Sequence, residues 1–283
     1  MQANENTNNV LDEQSVLKTR MKKIKHKIAI ISGKGGVGKT LTAVNLAISF
    51  ALQGHENRVG LLDADLHGPC VPKMLGMEER KLRVGPVGAF PALGPLGLKV
   101  VSMVFVLEGP EVPVVWRGPL KMRAIQQFLT DIVWGELDFL FIDLPPGTGD
   151  EPLSVMKLLP ELDGVIIVTI PSEVSQNVVE KAITFSKQLN VPIIGIVENM
   201  SGFICPSCST ETQIFKTGGG QRVAEKHSVP FLGRIPIDPR ICDASDKGVP
   251  FIMENPDSPA AKSFAQIVDK IKNYIQNKEK TQG

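Results

Sequence analysis

The sequence predicts an α/β fold, a doubly wound and mostly parallel sheet flanked by helices. Three observations carry that prediction. Short apolar runs alternate along the chain with longer helical patterns, which is the order that builds right-handed strand–helix–strand crossovers. The apolar runs are continuous rather than alternating, the habit of strands buried on both faces. A glycine-rich loop stands between the first run and the first helical pattern.

The predicted strands are 28–32, 59–63, 99–103, 139–143, 165–170, 193–197 and 231–235. The predicted helices are 40–53, 120–134, 151–159, 175–189, 220–227 and 260–277. Two regions break the alternation. Residues 83–98 are rich in proline and glycine and carry no periodicity, and residues 199–219 form a polar loop. Long unstructured loops in compact domains are commonly functional. Residues 1–24 read as a flexible polar arm, 25–278 as one domain and 279–283 as a tail.

Composition narrows the function classes. The chain has 283 residues, 42% apolar and 22% charged, enough for a sizeable core. A net charge of +1 gives no bulk attraction to nucleic acid or membrane, so neither is expected as a partner. No run reaches the roughly 20 apolar residues of a membrane span. The start, residues 1–9, has no apolar h-region, and a cytoplasmic location is the expectation.

The segment Gly33-Lys34-Gly35-Gly36-Val37-Gly38-Lys39-Thr40 fits G-x-x-x-x-G-K-[ST] between a strand and a helix, the context that motif requires. Its glycines let consecutive N–H groups turn toward phosphate oxygens, and the helix start adds its positive end. ATP and magnesium are therefore the expected ligands. Lys39 should reach the β- and γ-phosphates, and Thr40 should offer its hydroxyl to magnesium. The run 139–143 ends an apolar strand in Asp143, which then lies where ligands bind in such sheets, as a second magnesium contact. Gly147 and Gly149 follow it and could let that loop respond to the γ-phosphate. Asp63 and Asp65 end another strand, one suited to positioning the attacking water and the other to bracing the loop.

Cys205 and Cys208 bracket Pro206 and Ser207, a spacing that holds two thiolates on one metal. A four-iron cluster takes four thiolates, so a homodimer sharing one cluster at its two-fold axis would complete the set. A bridging zinc, a redox pair and an idle pair stay open on spacing alone. Cys242 reads as a packing residue.

Several motifs together resemble a known family. The extra Lys34 resembles the deviant phosphate loop of the ParA/MinD/nitrogenase iron protein superfamily. Asp63-Ala64-Asp65-Leu66-His67-Gly68-Pro69, Trp116-Arg117-Gly118-Pro119, Asp143-Leu144-Pro145-Pro146-Gly147-Thr148-Gly149-Asp150 and Glu198-Asn199-Met200-Ser201 are similar to the Mrp/ApbC iron–sulfur carrier ATPases. The resemblance spans roughly residues 25–275. It implies a nitrogenase iron protein-like fold and an ATP hydrolase that carries a labile [4Fe-4S] cluster, bridging a homodimer, to apo iron–sulfur proteins. It implies that Lys34 touches the facing subunit's phosphates, that Asp65 lies near the water and magnesium, and that Asn199, Pro236 and Asp238 line the base pocket. It favours iron–sulfur over zinc at Cys205 and Cys208. Cys70 stands where the family more often has serine, and the cysteine-bearing N-terminus of some relatives has no counterpart here. The rival reading is a ParA/MinD-like positioning ATPase with a structural zinc.

Overall fold

The computed structural model describes residues 15–107, 118–205, 207–208 and 210–282. Residues 15–21 form helix α1. Then come β1 (Ile24–Ile31), α2 (Lys39–Phe50), β2 (Val59–Asp63), α3 (Val71–Met74), β3 (Arg83–Gly85), β4 (Gly88–Phe90), β5 (Ala92–Leu93) and β6 (Lys99–Val101). The middle of the chain holds α4 (Gly118–Thr130), β7 (Leu137–Asp143), α5 (Asp150–Leu158), β8 (Gly164–Thr169), α6 (Glu173–Gln188) and β9 (Ile193–Glu198). The last part holds β10 (Phe203–Ile204), β11 (Glu211–Thr212), α7 (Gly219–His227), β12 (Phe231–Arg234), α8 (Arg240–Lys247), α9 (Phe251–Glu254) and α10 (Pro259–Gln282).

Eight strands form one sheet in the order β12-β9-β8-β1-β7-β2-β6-β5. Every pairing in it is parallel except β5 with β6 at one edge. Successive side chains of a strand point to opposite faces, and β1 shows what that does here. Ile28 and Ile30 enter one apolar cluster with α2 and α10, while Ala29 and Ile31 enter a second with α1, α4 and α6. Both faces are therefore core, which is why the strand sequences are continuously apolar.

The predicted fold class is the observed one, and the differences are local. The first strand starts at Ile24 rather than residue 28. Charged residues hid that start: Lys27 is buried, and its ammonium donates to the carbonyls of Ile24 at 3.1 Å and Met21 at 3.5 Å. Burial pulls its pKa down despite the facing Asp163. Packed structure also begins inside the stretch expected to be a flexible arm, because Leu17 and Met21 of α1 are core residues. The aperiodic stretch 83–98 holds a small hairpin, β3 with β4, and the edge strand β5. The polar loop 199–219 holds a second hairpin, β10 with β11. Among the described residues no helix is long and apolar enough to cross a membrane.

Candidate functional site

The phosphate loop leaves the C-terminal end of β1, at the centre of the sheet. Two of its glycines are required by geometry. Gly38 sits at φ 81°, and a Cβ there would lie 2.1 Å from the Asn199 amide nitrogen; a Cβ on Gly33 would lie 2.3 Å from Val178 Cγ1 on α6. The loop is braced from two sides. Asn199 Nδ2 donates to the Val37 carbonyl at 3.0 Å, and the Gly147 N–H donates to the Ser32 carbonyl at 2.8 Å.

At the head of α2, Lys39 Nζ lies 2.6 Å from Asp143 Oδ1, and the Thr40 hydroxyl donates to Asp143 Oδ2 at 2.6 Å. Asp143 is fully buried, and burial pushes its pKa up while Lys39 and the two hydrogen bonds pull the other way. The neighbouring strand places Asp63 beside it in register. Asp63 Oδ2 accepts from the Ser102 hydroxyl at 3.1 Å and the Val71 N–H at 3.3 Å, while the buried Oδ1 has no protein partner. Burial and then the charge of Asp143 hold the Asp63 carboxyl well above the usual range. Asp65, half-buried beyond the strand, accepts the Gly68 N–H at 3.3 Å. Asp63 and Asp143 thus share the charge of Lys39, with the charge of Asp65 acting on both. An unsatisfied buried oxygen and surplus negative charge are what a hard divalent cation relieves, so the donor set fits magnesium.

Lys34 is half-buried on the loop and makes no hydrogen bond or ion pair through its side chain among the described residues. Asp63 braces β2, α3 and the segment after β6, while Asp65 lies near enough for its charge to act on Asp63 and Asp143. Pro236 and Asp238 line a cavity of about 450 Å3 together with Cys205 and Phe203. The Asp238 carboxylate pairs with the Arg240 guanidinium at 2.6 and 2.9 Å.

The cysteines sit at the tip of the β10–β11 hairpin. Cys205 is half-buried and Cys208 exposed. The Cys205 N–H donates to the Thr210 carbonyl at 3.0 Å, and the Thr210 hydroxyl lies 3.3 Å from Cys208 Sγ. Hydrogen bonding from Thr210, then from Cys205, holds the Cys208 thiol below its ordinary range. Cys70 is the opposite case, pushed up by burial and by the charges of Asp63 and Asp65. Among the described residues no group of three or more His, Cys, Asp or Glu side chains is placed to hold a metal. The loop's neck is closed by Glu198, fully buried at the end of β9. Its Oε1 accepts the Ser201 hydroxyl and the Gly218 N–H at 2.8 Å, and its Oε2 accepts the Gly220 N–H at the start of α7. The hairpin is also tied to the cavity wall, since the Ile237 N–H donates to the Gly202 carbonyl at 2.7 Å and Phe203 bridges to Ile237.

A family model described as ParA, NUBPL iron-transfer P-loop NTPase, matches residues 23–272. The chain belongs to that family. Its sequence is 50% identical over 274 residues to the iron-sulfur cluster carrier protein of Methanocaldococcus jannaschii, covering 96% of this chain and 93% of the relative. It is 50% identical over 260 residues to the carrier protein of the same description from Saccharolobus solfataricus, covering 92% and 87%. Among solved structures it is similar to a nucleotide-binding protein from Archaeoglobus fulgidus in complex with ADP, described with cobalt. That likeness has a TM-score of 0.77 and 41% identity, over 88% of this chain and 95% of the other. The Pyrococcus furiosus cell division ATPase MinD, at TM-score 0.65 and 23% identity over 88% and 98%, shares the fold.

Within this iron-transfer NTPase, three site features were not readable from spacing. Ser102 supports Asp63 from the far side of β6. Lys121 on α4 is buried, and its ammonium meets His67 Nε2 and lies 2.5 Å from Glu151 Oε1, joining the loop after Asp65 to the first turn of α5. Glu198 closes the cysteine loop. Each partnership spans segments far apart in sequence, and only the Glu198 motif itself gave any local signal. Trp116 and Arg117 lie outside the described residues.

Proposed function

We propose that this family member is an ATP-dependent carrier of a labile [4Fe-4S] cluster. Two copies hold the cluster between them through Cys205 and Cys208 of each, and they pass it to apo iron–sulfur proteins. The observation that carries this reading is the placing of a hydrogen-bonded cysteine pair, one half-buried and one exposed, on a loop whose neck and phosphate loop meet at Asn199, one residue after Glu198. A cluster held by two thiolates per chain at an interface is exposed enough to leave, which suits delivery.

The chain's residues divide the work. Residues 33–40 wrap the triphosphate, and Lys39 turns from Asp143 to the β- and γ-phosphates. Thr40 and Asp143 would hold magnesium, which supplies shielding of the phosphate charge. Asp65 orients the attacking water, and Lys34 reaches the facing copy's phosphates. Asn199, Pro236 and Asp238 take the base, with Asn199 also holding Val37. A cytoplasmic location suits a carrier with free thiols.

Anaerobic reconstitution with iron and sulfide tests the proposal. Expected are a brown dimer with four irons per two chains and transfer to an apoprotein that changes with ATP. A Cys205→Ala, Cys208→Ala chain that takes up the same iron, or a native chain that retains only zinc, overturns it.

A further inference from the structure

A cavity of about 730 Å3 lies away from the phosphate loop. Its basic side is built by Arg80, Lys81, Arg83 and Lys99, and its apolar side includes Phe90 and Leu93. It sits by the N-terminal ends of the parallel strands: Lys99 opens β6, and Gly135, which also lines it, shortly precedes β7. The phosphate loop follows the C-terminal end of β1, so the two sites occupy opposite poles of the sheet.

None of the four cations forms an ion pair with a carboxylate among the described residues, although the charge of Glu136 acts on Lys99. Lys99 Nζ donates to the Trp134 carbonyl at 2.6 Å and Lys81 to the Leu107 carbonyl; Arg80 and Arg83 make no side-chain hydrogen bond there. Burial, then the charge of Arg58, hold the Lys99 ammonium below its ordinary range. A chain of net charge +1 has no general excess of cations, so this concentration is local. Apolar side chains share the cavity wall: Leu93 is 62% exposed and Phe90 38% exposed. Exposed apolar groups beside unpaired charges mark an interaction site.

Shape points to an extended ligand. A second cavity of about 310 Å3 shares Val133 and Gly135 with the first and adds Arg20 and Lys23. The two make one basic track rather than a compact hole. β5 runs along it as the edge strand of the eight-stranded sheet, with one side unpaired. An edge strand can accept main-chain hydrogen bonds from an added strand. We infer that this track docks an acidic, extended segment of a partner protein, its carboxylates on Arg80, Lys81, Arg83 and Lys99 and a bulky apolar residue against Phe90 and Leu93. The partner would then be held without covering the nucleotide crevice.

The test uses the full chain and a fluorescein-labelled peptide alternating Glu with Phe and Leu, read by anisotropy. Saturable binding is expected, weakening steeply as salt rises from about 50 to about 300 mM. An Arg80→Ser, Arg83→Ser variant changes only exposed side chains; it should bind at least about tenfold more weakly while its ATP turnover stays unchanged. A control peptide with Gln for Glu should not bind. Equal binding by the variant or the control peptide overturns the inference, as does no saturable binding. So does complete displacement by tripolyphosphate, or by single-stranded RNA, at concentrations comparable to the peptide.

Discussion

The ammonium of Lys39 lies 2.6 Å from Asp143 Oδ1 in a pocket where the carboxylate has no solvent contact. Removing one partner of a buried ion pair strands the other charge, typically at about 3–5 kcal/mol. Lys39→Ala should therefore lose ATP turnover and also unfold at lower urea. Adding Asp143→Asn should recover most of the stability and none of the turnover. If the single variant melts like the native chain, the pair is not the partner that keeps Asp143 ionised.

Lys121 couples the loop after Asp65 to the start of α5, through His67 and Glu151. Lys121→Met should lower kcat about tenfold while leaving KM for ATP within about twofold, because the phosphate loop is untouched. Lys121→Arg should recover part of the loss. A change confined to KM would place Lys121 in substrate binding instead.

Glu198 accepts three hydrogen bonds that close the cysteine loop. Glutamine presents a donor on one side, so Glu198→Gln should cost roughly 1–3 kcal/mol through the unmatched N–H groups. Iron retention after reconstitution should fall more than ATP turnover does. Equal losses of both would mean that the residue serves the whole fold rather than the loop.

Thiol reactivity should follow the local hydrogen bonds. Cys208 and Cys70 are both exposed, but the Cys208 thiol is held down by Thr210, whereas partial desolvation and the charges of Asp63 and Asp65 push the Cys70 thiol up. Near pH 7.5, iodoacetamide should label Cys208 at least about threefold faster than Cys70. Thr210→Val should slow that labelling, and mass spectrometry of tryptic peptides reads both rates.

Acid stability has an identifiable contributor. Burial would raise the Asp163 carboxyl, but the His26 ring 3.6 Å away, with hydrogen bonds from the Lys27 N–H and the Lys278 ammonium, outweighs it and holds the group at about 2. A depressed folded value means stability present above the unfolded value of 3.8 and lost as pH falls toward 2. Asp163→Asn should remove roughly 2 kcal/mol at neutral pH and flatten the melting curve against pH between 4 and 2. Native and variant curves that stay parallel through that window would dismiss the contribution.

Much of the fold was legible because its signals are local. The continuous apolar runs of β2, β7 and β8 reflect burial on both faces, and the phosphate loop is a contiguous motif between a strand and a helix. What escaped was non-local or disguised. The start of β1 carries Lys25, His26 and Lys27, and a buried lysine capped by carbonyls looks like surface in a sequence. The short helices α3, α8 and α9 are too brief for periodicity to register. Ser102, Lys121 and Glu151 acquire meaning only once the sheet order brings their segments together. The phosphate-loop and cysteine residues were readable as types and spacings; their hydrogen-bond partners were not.

The neck formed by Glu198 with Gly218 and Gly220 leaves the sulfur-bearing hairpin as an appendage pinned at its root. Mutational drift in the hairpin's length or ligand set can proceed while the sheet keeps its packing. If the hairpin holds the cluster as proposed, a hydrolase of this architecture would gain, exchange or lose its inorganic cargo by edits between Glu198 and Gly218, provided the root glutamate and the stitch to Ile237 survive.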